Sequence, residues 1–307
     1  MSRAVVYETF GGPEVLELRE VPEQHAEAGQ VRVRVAAVGL NPMDWILSSM
    51  PEVAQQFGIT LPSGFATDFA GTVDEVGQGV SGFAVGDRVY GAATGRAAAD
   101  FLVVAPGGAD TLLHTPAEIS DRVAGTLTVA GLTASAALAV IGAKAGDTVL
   151  VGGAAGGVGI LAVQLARLAG VRVIGTASES TFDFLRQFGA EPVAYGPGLE
   201  DRVRAMAPGG VSAAADLHGT EAAEAALALG VPPERISTIA AGPNPPGGVR
   251  PTGGIAAHPD DLARICEAIV AGEITVPIAA GFPIEQIQEA VRLQADRHVH
   301  GKIVVDL

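Results

Sequence analysis

The sequence predicts an α/β protein with a doubly wound parallel sheet and a second, discontinuous domain that is rich in β-strands. Strands and helices alternate from about residue 118 to residue 257, as they do in a parallel sheet with helices on its faces. Before Pro116 the chain has short apolar runs between turn residues, as in a small barrel or sandwich. The tail has a different pattern and could close back onto the first part. We therefore expect one domain at 118–257 and another built from 1–117 and 258–307.

The clearest strand of the first segment is Val31–Val38, which reads VRVRVAAV. Its alternation of apolar and polar side chains predicts a half-buried strand with the arginines on the solvent face. A turn over Gly39–Asp44 ends it. Asp44 is interpreted as the cap of a short helix over 45–49 rather than as a catalytic group.

The centre of the second segment is residues 148–178, which read as strand, glycine-rich turn, helix and strand. The glycines have the spacing G-x-x-G-x-x-G. They let the backbone turn tightly and bring unhindered N–H groups and a helix N-terminus to a phosphate, which predicts a dinucleotide site. The alternative is a turn that only lets the helix pack on the sheet. The residues expected at the phosphates are Gly153, Ala155, Gly156, Gly157, Val158 and Gly159.

The charge balance of the chain is acidic. Lys and Arg number 19 and Asp and Glu 34, which gives a net charge of −15. This balance argues against nucleic acid or an anionic membrane as a partner. An anionic cofactor would then depend on local donors such as the glycine turn.

The cysteine content and the apolar segments of the chain indicate in which cellular compartment the protein is expected. Cys266 is the single cysteine, which excludes an internal disulfide and fits a reducing cytoplasm. The N-terminal residues 1–12 have no apolar core of signal-peptide length. Residues 123–143 carry no charge over a length that could span a bilayer. Their Gly, Thr and Ala content favours a buried turn and helix instead.

Short motifs in a fixed order carry a family resemblance. The motifs are FGGPEVLEL (10–18), GLNPMD (39–44), TDFAGTVDEVG (67–77), VGDRVYG (85–91), AGLTA (130–134), VLVGGAAGGVG (149–159), VIGTAS (173–178), FGAE (188–191) and HGKIVV (300–305). They resemble the medium-chain dehydrogenase/reductase superfamily, and within it the zinc-free quinone oxidoreductase (zeta-crystallin-like) family. The resemblance implies a GroES-like β-barrel catalytic domain formed by both chain ends, a Rossmann domain between them, and a homodimer.

The same resemblance bears on zinc. Zinc-dependent relatives place a Cys where Asn41 stands, a His where Thr67 stands and a further ligand where Ala130 stands. Because a catalytic zinc needs about three N, S or O ligands, we expect no metal. Without a Lewis acid an alcohol is hard to polarise. The expected reaction is therefore hydride transfer to an electron-poor acceptor, either a quinone or an α,β-unsaturated carbonyl.

The residue that follows the second strand of the segment 148–178 indicates whether the cofactor is NAD or NADP. NAD enzymes place Asp or Glu there for the ribose 2′-hydroxyl, whereas this chain has Ser178. A serine can donate to a 2′-phosphate, which favours NADPH. The neighbouring Glu179, and the lack of a basic residue before Arg186, weaken this interpretation. A helix N-cap is the alternative role of Ser178.

The resemblance also implies roles for individual side chains. Asn41 corresponds to a residue beside nicotinamide and substrate, with a turn-forming Asn-Pro as the alternative. Asp68 is equally interpreted as an orienting group or a solvated strand end, and Lys302 as a cofactor contact or an edge-strand lysine. The catalytic candidates are Asn41, Thr67 and Asp68; the further cofactor candidates are Thr133, Thr176, Ser178, Ala240 and Lys302; the acceptor-pocket candidates are Trp45, Ile46 and Phe65.

Two other functions stay open beside an NADPH-dependent quinone or enone reductase. An enoyl-thioester reductase of the same fold would need a basic surface for the phosphate of CoA or a carrier protein, and the acidic charge argues against it. A catalytically weak NADPH-binding sensor or structural protein is the other alternative. It stays open because no Tyr or Lys follows the NPMD motif as a proton donor.

Overall fold

The computed structural model describes residues 2–242 and 244–307. The chain divides into two units, the first formed by Met1–Val129 with Pro277–Leu307 and the second by Ala130–Val276. The first unit is therefore discontinuous along the sequence. The divisions fall after Val129 and Val276, whereas the sequence places them after residues 117 and 257.

Strands form where β-branched and other large apolar residues lie between turn residues. Most of them are short. In chain order the strands of the described residues are β1 (Ser2–Tyr7), β2 (Glu17–Val21), β3 (Val31–Leu40), β4 (Ser63–Gly64), β5 (Asp68–Val76), β6 (Arg88–Ala92), β7 (Phe101–Val104), β8 (Thr111–His114), β9 (Thr148–Gly152), β10 (Arg172–Ala177), β11 (Glu191–Ala194), β12 (Ala213–Asp216), β13 (Ile236–Thr238), β14 (Arg250–Pro251), β15 (Ile278–Pro283) and β16 (Lys302–Asp306).

The helices are short as well, and several start at a proline or follow a glycine. Among the described residues, none is both long enough and apolar enough for a bilayer crossing. In chain order they are α1 (Pro42–Ser49), α2 (Pro51–Gln56), α3 (Asp121–Ala124), α4 (Leu127–Val140), α5 (Gly157–Leu168), α6 (Phe182–Gln187), α7 (Leu199–Met206), α8 (Glu221–Ala228), α9 (Asp261–Val270) and α10 (Ile287–Ala295).

The second unit contains a parallel sheet with the strand order β11-β10-β9-β12-β13-β14. Numbered within the unit, this is the order 3-2-1-4-5-6 of a Rossmann domain, so the predicted doubly wound sheet is confirmed. The side chains of Leu150, Ile174 and Ala214 lie in its buried core. The strand order reverses between β9 and β12, and the glycine turn directly follows β9. In such sheets this reversal is the place where ligands bind.

The first unit contains a sheet with the order β15-β16-β3-β5-β6-β8, in which β7 also pairs with β3. A smaller antiparallel sheet has the order β2-β1-β4. The apolar side chains of β3, β5 and β16, among them Val33, Phe69 and Ile303, form one buried core. The sheet thus contains strands from both ends of the chain, as the sequence predicts.

The register of β3 brings three distant segments together at one point. Gly39 pairs with Asp68 across β3 and β5, and Leu40 pairs with Ile303 across β3 and β16. Gly39 must be a glycine, since a Cβ there would lie 2.2 Å from the carbonyl oxygen of Gly125. The end of β3 therefore meets the start of β5 and the start of β16 inside the first unit.

One expectation about β3 is wrong. Arg34 is exposed as predicted, but the side chain of Arg32 is only 8% exposed. Its guanidinium is 2.9 Å from Asp74 and 2.7 Å from Glu75, and it lies 4.6 Å from the centre of the Phe101 ring. The alternation of apolar and polar residues predicts the face of β3 on which Arg32 lies. It does not predict that the acids of β5 and the Phe101 ring on β7 cover Arg32 on that face.

Arg32→Met should lower the free energy of unfolding by about 2 kcal/mol, because it removes a nearly buried guanidinium and its charge-assisted hydrogen bonds to the partly exposed Asp74. Arg34→Met is the matched control on the same face of β3. It should cost less than about 1 kcal/mol, since an exposed ion pair contributes little. Urea unfolding followed by circular dichroism measures both. Equal losses in the two variants would contradict the role assigned to Arg32.

Candidate functional site

In the turn after β9, different positions are occupied by glycine for different physical reasons. Gly153 has a φ of +65°, and a Cβ there would lie 2.7 Å from the Cβ of His218. A Cβ at Gly159 would lie 2.2 Å from the carbonyl oxygen of Gly153. Gly153 is therefore required by its backbone conformation and by the neighbouring His218, and Gly159 by the close approach of the turn to itself.

Gly156 is different. Its φ is −73°, and a Cβ there would meet only the Gly153 carbonyl oxygen, at 3.4 Å, an ordinary contact. The turn can therefore accept a side chain at this position without strain. A glycine here leaves open space at the start of α5, which is the space that an approaching phosphate needs.

The start of α5 supplies donors for an anion. Gly156 is the N-cap residue and has no side chain to cap the helix. The first N–H groups of a helix have no partner within it, and they carry its partial positive charge. Gly157, Val158 and Gly159 occupy these first positions, and Ala155 precedes the cap. These residues fit a pyrophosphate.

Thr176 fixes the turn to the neighbouring strand. Its Oγ1 accepts the N–H of Gly153 at 3.0 Å, and its carbonyl oxygen accepts the N–H of Ala154 at 3.2 Å. The structure thus gives Thr176 a role in holding the turn. Its contact with a cofactor stays a prediction.

Three hydroxyl groups lie together just after β10. The Oγ of Ser178 is 3.0 Å from the Oγ of Ser180 and 2.6 Å from the Oγ1 of Thr181. Ser178 is the N-cap of a single 3-10 turn, as the alternative interpretation expects, but its side chain makes no capping hydrogen bond. The group is polar and lacks a carboxylate, apart from the exposed Glu179 beside it.

Asp216, at the end of β12, is a positioning residue that the sequence reasoning missed. Its Oδ1 accepts the N–H groups of His218 and Gly219 at 3.2 and 3.1 Å, and its Oδ2 accepts that of Ala223 at 3.1 Å. It thereby holds the His218 backbone next to Gly153. An aspartate at the carboxyl end of an apolar strand was the available signal.

Two further cofactor candidates lie elsewhere in this unit. The Oγ1 of Thr238 accepts the N–H groups of Ala240 and Ala241 at 3.3 and 3.2 Å, so a contact offered by Ala240 must come from its carbonyl oxygen. Thr133 lies in α4 and is buried. The backbone at Gly254 runs beside it, since a Cβ there would lie 3.5 Å from the Thr133 Oγ1.

The first unit buries a set of polar side chains, which we call the polar cluster. It comes from the end of β3 with the start of α1, the start of β5 and the start of β16. Asp68 is fully buried and Lys302 is 3% exposed, so neither is a solvated strand end. Nor is Lys302 on an edge strand, because β16 lies between β15 and β3. The members of the polar cluster are Asn41, Asp44, Thr67, Asp68 and Lys302.

Hydrogen bonds connect the polar cluster in a chain. The Nζ of Lys302 donates to the Oδ1 of Asn41 at 2.5 Å and to the carbonyl oxygen of Leu40 at 3.0 Å. The Nδ2 of Asn41 donates to the Oδ2 of Asp68 at 3.0 Å. The Oδ1 of Asp68 accepts the N–H of Val129 at 3.0 Å. The Asn41 amide thus bridges an ammonium and a carboxylate.

The sequence predicts Asp44 as the cap of a helix over 45–49. The helix α1 starts earlier, at Pro42, with Asn41 as its N-cap residue, so Asp44 lies at the third helical position and completes a capping box with Asn41. Its Oδ2 accepts the N–H of Asn41 at 2.7 Å at the start of α1. Its burial is what the sequence did not reveal, since the side chain is almost fully enclosed. Asp44 therefore belongs to the polar cluster as well as to the helix cap.

Burial shifts the acid–base behaviour of the polar cluster. It raises the pKa of Asp44 to about 7 and the pKa of Asp68 to about 6. The positive charge of Lys302 and the hydrogen bonds from Asn41 oppose both shifts. Burial also lowers the pKa of Lys302, and the two carboxylates oppose that shift.

The polar cluster does not fit a zinc ion. The amide oxygen of Asn41 is occupied by an ammonium, which would repel a metal cation. At the two further positions where zinc-dependent relatives have ligands, this chain has the hydroxyl of Thr67 and the methyl group of Ala130. Across residues 2–242 and 244–307, no group of three or more His, Cys, Asp or Glu side chains is placed to hold a metal.

The acceptor-pocket candidates have different surroundings. Phe65 is 2% exposed and belongs to the hydrophobic core of the first unit. Trp45, on α1, is partly buried and packs against that core. Ile46, also on α1, is partly exposed. Their contact with an acceptor stays a prediction.

The sequence and the fold together define the class of protein. Residues 27–118 match the family of alcohol dehydrogenase GroES-like domains, and residues 188–305 match the zinc-binding dehydrogenase family. With the Rossmann sheet of the second unit, these matches confirm the predicted fold. The chain belongs to the medium-chain dehydrogenase/reductase superfamily.

Within this superfamily the chain is similar to quinone oxidoreductases. It is 37% identical to the quinone oxidoreductase of Mus musculus over 201 residues, which are 63% of this chain and 58% of that protein. The quinone oxidoreductase of Coxiella burnetii has a TM-score of 0.88 at 29% identity, over 100% of this chain and 99% of that one. A mycobacterial protein complexed with NADPH has a TM-score of 0.87 at 28% identity, over 100% of both chains.

Lys302→Met should destabilise the protein increasingly as the pH rises above about 6. Without the ammonium, the pKa of Asp68 in the folded state rises further, while the unfolded chain ionises at the ordinary value of 3.8. A folded state that binds more protons than the unfolded state loses stability as the pH rises. The loss relative to wild type should reach about 3 kcal/mol near pH 8.

Urea unfolding across this pH range measures the effect. The double variant Lys302→Met with Asp68→Asn lacks both charges, so it should lose the added pH dependence. A single-variant loss that is constant with pH would contradict the coupling between Lys302 and Asp68.

Proposed function

We propose that the chain is a zinc-independent oxidoreductase that transfers hydride from NADPH to a quinone or an α,β-unsaturated carbonyl. The observation that carries the proposal is the glycine turn at the reversal of strand order, with Gly156 free of any packing requirement. Similarity to quinone oxidoreductases and to a chain complexed with NADPH supports it. When bound, NADPH supplies the hydride that reduces the acceptor.

In the second unit, the proposed role of the chain is to hold the dinucleotide. The N–H groups at the start of α5 offer donors to the pyrophosphate, and Thr176 keeps the turn in place. Because the chain carries a net charge of −15, this local positive potential must offset an unfavourable overall field. Backbone donors with a fixed direction meet this need without basic side chains.

The preference for NADPH over NADH rests on the hydroxyl groups after β10. Ser178 and Ser180 present hydroxyls that can donate to a 2′-phosphate, while the buried Thr181 hydroxyl holds that of Ser178. In addition, β10 ends without the carboxylate that would accept a 2′-hydroxyl. Glu179 is exposed, so solvent screens its charge.

In the first unit, we propose that Asn41, Thr67 and Asp68 orient the acceptor and its developing charge. The hydrogen bonds from Lys302 and to Asp68 fix the amide of Asn41 in one orientation. Because the Asn41 amide oxygen accepts the Lys302 ammonium, we propose a reaction that uses no metal. Without metal polarisation, the acceptor itself must be electron-poor, as quinones and enones are.

The proposal also covers the surroundings of the enzyme. We expect a small-molecule acceptor, no nucleic-acid or membrane partner, a cytoplasmic location and a homodimer. The acidic charge supports the absence of a nucleic-acid or membrane partner, and the single cysteine supports a cytoplasmic location. Light scattering of the purified protein tests the oligomeric state.

An acceptor panel tests the reaction. NADPH and NADH oxidation is followed with 1,4-benzoquinone, 9,10-phenanthrenequinone, 2-cyclohexenone, an alkenal and crotonyl-CoA. Turnover of the quinones or enones with NADPH supports the proposal. Preference for crotonyl-CoA would identify an enoyl-thioester reductase, and NADPH binding without any turnover would leave a sensor or structural role.

Gly156→Asp should raise the Kd for NADPH at least about 100-fold, because it places a carboxylate where the pyrophosphate is expected. The backbone accepts a side chain there, so the melting temperature should stay near that of wild type. Gly156→Ala is the uncharged control and should change the Kd less than about ten-fold. Calorimetric titration measures the affinities. Retained affinity in the Asp variant would mean that the turn only packs the helix.

Ser178→Ala should raise the Kd for NADPH about ten-fold by removing one donor to the 2′-phosphate. The Kd for NADH, which lacks this phosphate, is the matched control and should stay within about two-fold. Fluorescence titration with both dinucleotides compares them. Equal weakening for the two would contradict a phosphate contact, and tighter binding of NADH by the wild type would overturn the preference itself.

A further inference from the structure

The polar cluster contains more buried acid groups than buried cations. Asp44 and Asp68 are both enclosed, and Lys302 is the titratable cation that acts on them. With all three groups ionised, the polar cluster would hold an uncompensated negative charge away from water, which is costly. The cluster is neutral when one of the two carboxyl groups keeps its proton.

The hydrogen bonds indicate which carboxyl keeps the proton. Asp68 accepts a donor on each oxygen, from Asn41 and from the Val129 N–H, and this arrangement favours its ionised form. Asp44 accepts the N–H of Asn41 on Oδ2. Its Oδ1 is buried and has no hydrogen-bond partner within the described residues. A bare buried carboxylate oxygen is unfavourable, whereas the hydroxyl of a neutral acid fits there.

The hydroxyl of Thr67 interacts with the carboxyl of Asp44. This interaction favours the ionised form of the carboxyl, and Thr67 is slightly more exposed than the acid. A threonine hydroxyl can accept one proton while it donates another. Thr67 can therefore pass on a proton that the enclosed Asp44 cannot deliver directly.

We propose that Asp44 retains a proton in the resting protein and supplies it, through the Thr67 hydroxyl, to the oxygen of the reduced acceptor. The assignment rests on the proposed function. Hydride addition to a quinone or enone leaves a hydroquinone anion or an enolate. The Thr67 O–H bond breaks as the acceptor O–H bond forms, and the Asp44 proton moves to the Thr67 oxygen. A proton from solvent then returns to Asp44 through the Thr67 hydroxyl.

The groups that face Asp44 set the pH range. Asp68 disfavours its ionisation by charge repulsion, and Lys302 favours it. Since burial raises the pKa of Asp44 to about 7, the carboxyl holds its proton below neutral pH and loses it as the pH rises through about 7. The reduction should slow as the pH rises through this value.

The first test uses the protein without cofactor or acceptor. Asp44→Asn is nearly isosteric, keeps an oxygen for the Asn41 N–H and cannot ionise. Infrared difference spectra of wild type against this variant, recorded during a pH titration, should show the carbonyl stretch of a neutral acid. The band should disappear near pH 7 in the wild type. A carboxylate band at pH 5 and above would overturn the proposal.

The second test is kinetic. Asp44→Asn should lower kcat at least about 100-fold and flatten the pH profile between about pH 6 and pH 8, while the Kd for NADPH stays within about two-fold. Thr67→Val should behave similarly, and Thr67→Ser, which keeps the hydroxyl, should lose less activity. A purely structural cap predicts the opposite result, since the neutral isostere preserves the cap. An active Asp44→Asn enzyme with the wild-type pH profile would therefore overturn the assignment.

The two tests separate failure of the proposal from failure of the proposed function. If the wild type reduces no acceptor, the reductase function and the delivery step both fail, while the infrared titration still decides whether Asp44 holds a proton. If the wild type is active and the infrared titration shows an ionised Asp44, only the proposal about Asp44 fails.

Discussion

The hydrogen-bonded chain from Lys302 through Asn41 to Asp68 is the constraint on which the first unit depends. It joins residues separated by 261 and 27 positions in the sequence, and it does so inside a sheet. A buried ammonium is tolerated only where charge and hydrogen bonds compensate it. The order β16-β3-β5 is the arrangement that supplies both. The sheet and the charges therefore stabilise each other.

The second unit is organised by backbone geometry instead of charge. Gly153 is required by its positive φ and by the nearby His218, and Gly159 is required because the turn passes close to itself. Thr176 anchors this turn to β10. Gly156 is the exception that links the turn to a ligand. The same short segment thus contains residues that serve folding and a residue whose best explanation is binding. Glycines needed for folding and a glycine explained by binding can be distinguished only from the space that a Cβ would have at each position.

The sequence predicts the second unit well because its signals are local. Strand, turn, helix and strand follow one another over residues 148–178, and the structure places each element where the pattern does. The polar cluster is different. Asp44 is recognisable as a cap, but its burial depends on β3 pairing with β5 and β16, which no local pattern encodes. Arg32 shows the same limit, since alternation does not reveal the acids and the ring that cover a face.

The position of β16 has a consequence for synthesis of the chain. Residues 37–40 of β3 pair with β16, whose residues leave the ribosome more than two hundred positions later. All strands of the parallel sheet in the second unit emerge in between. The nascent first unit therefore waits with part of a strand edge unpaired while its neighbour along the chain can already fold. An unpaired strand edge can pair with other chains, so this edge exposes the nascent protein to aggregation until β16 has been made.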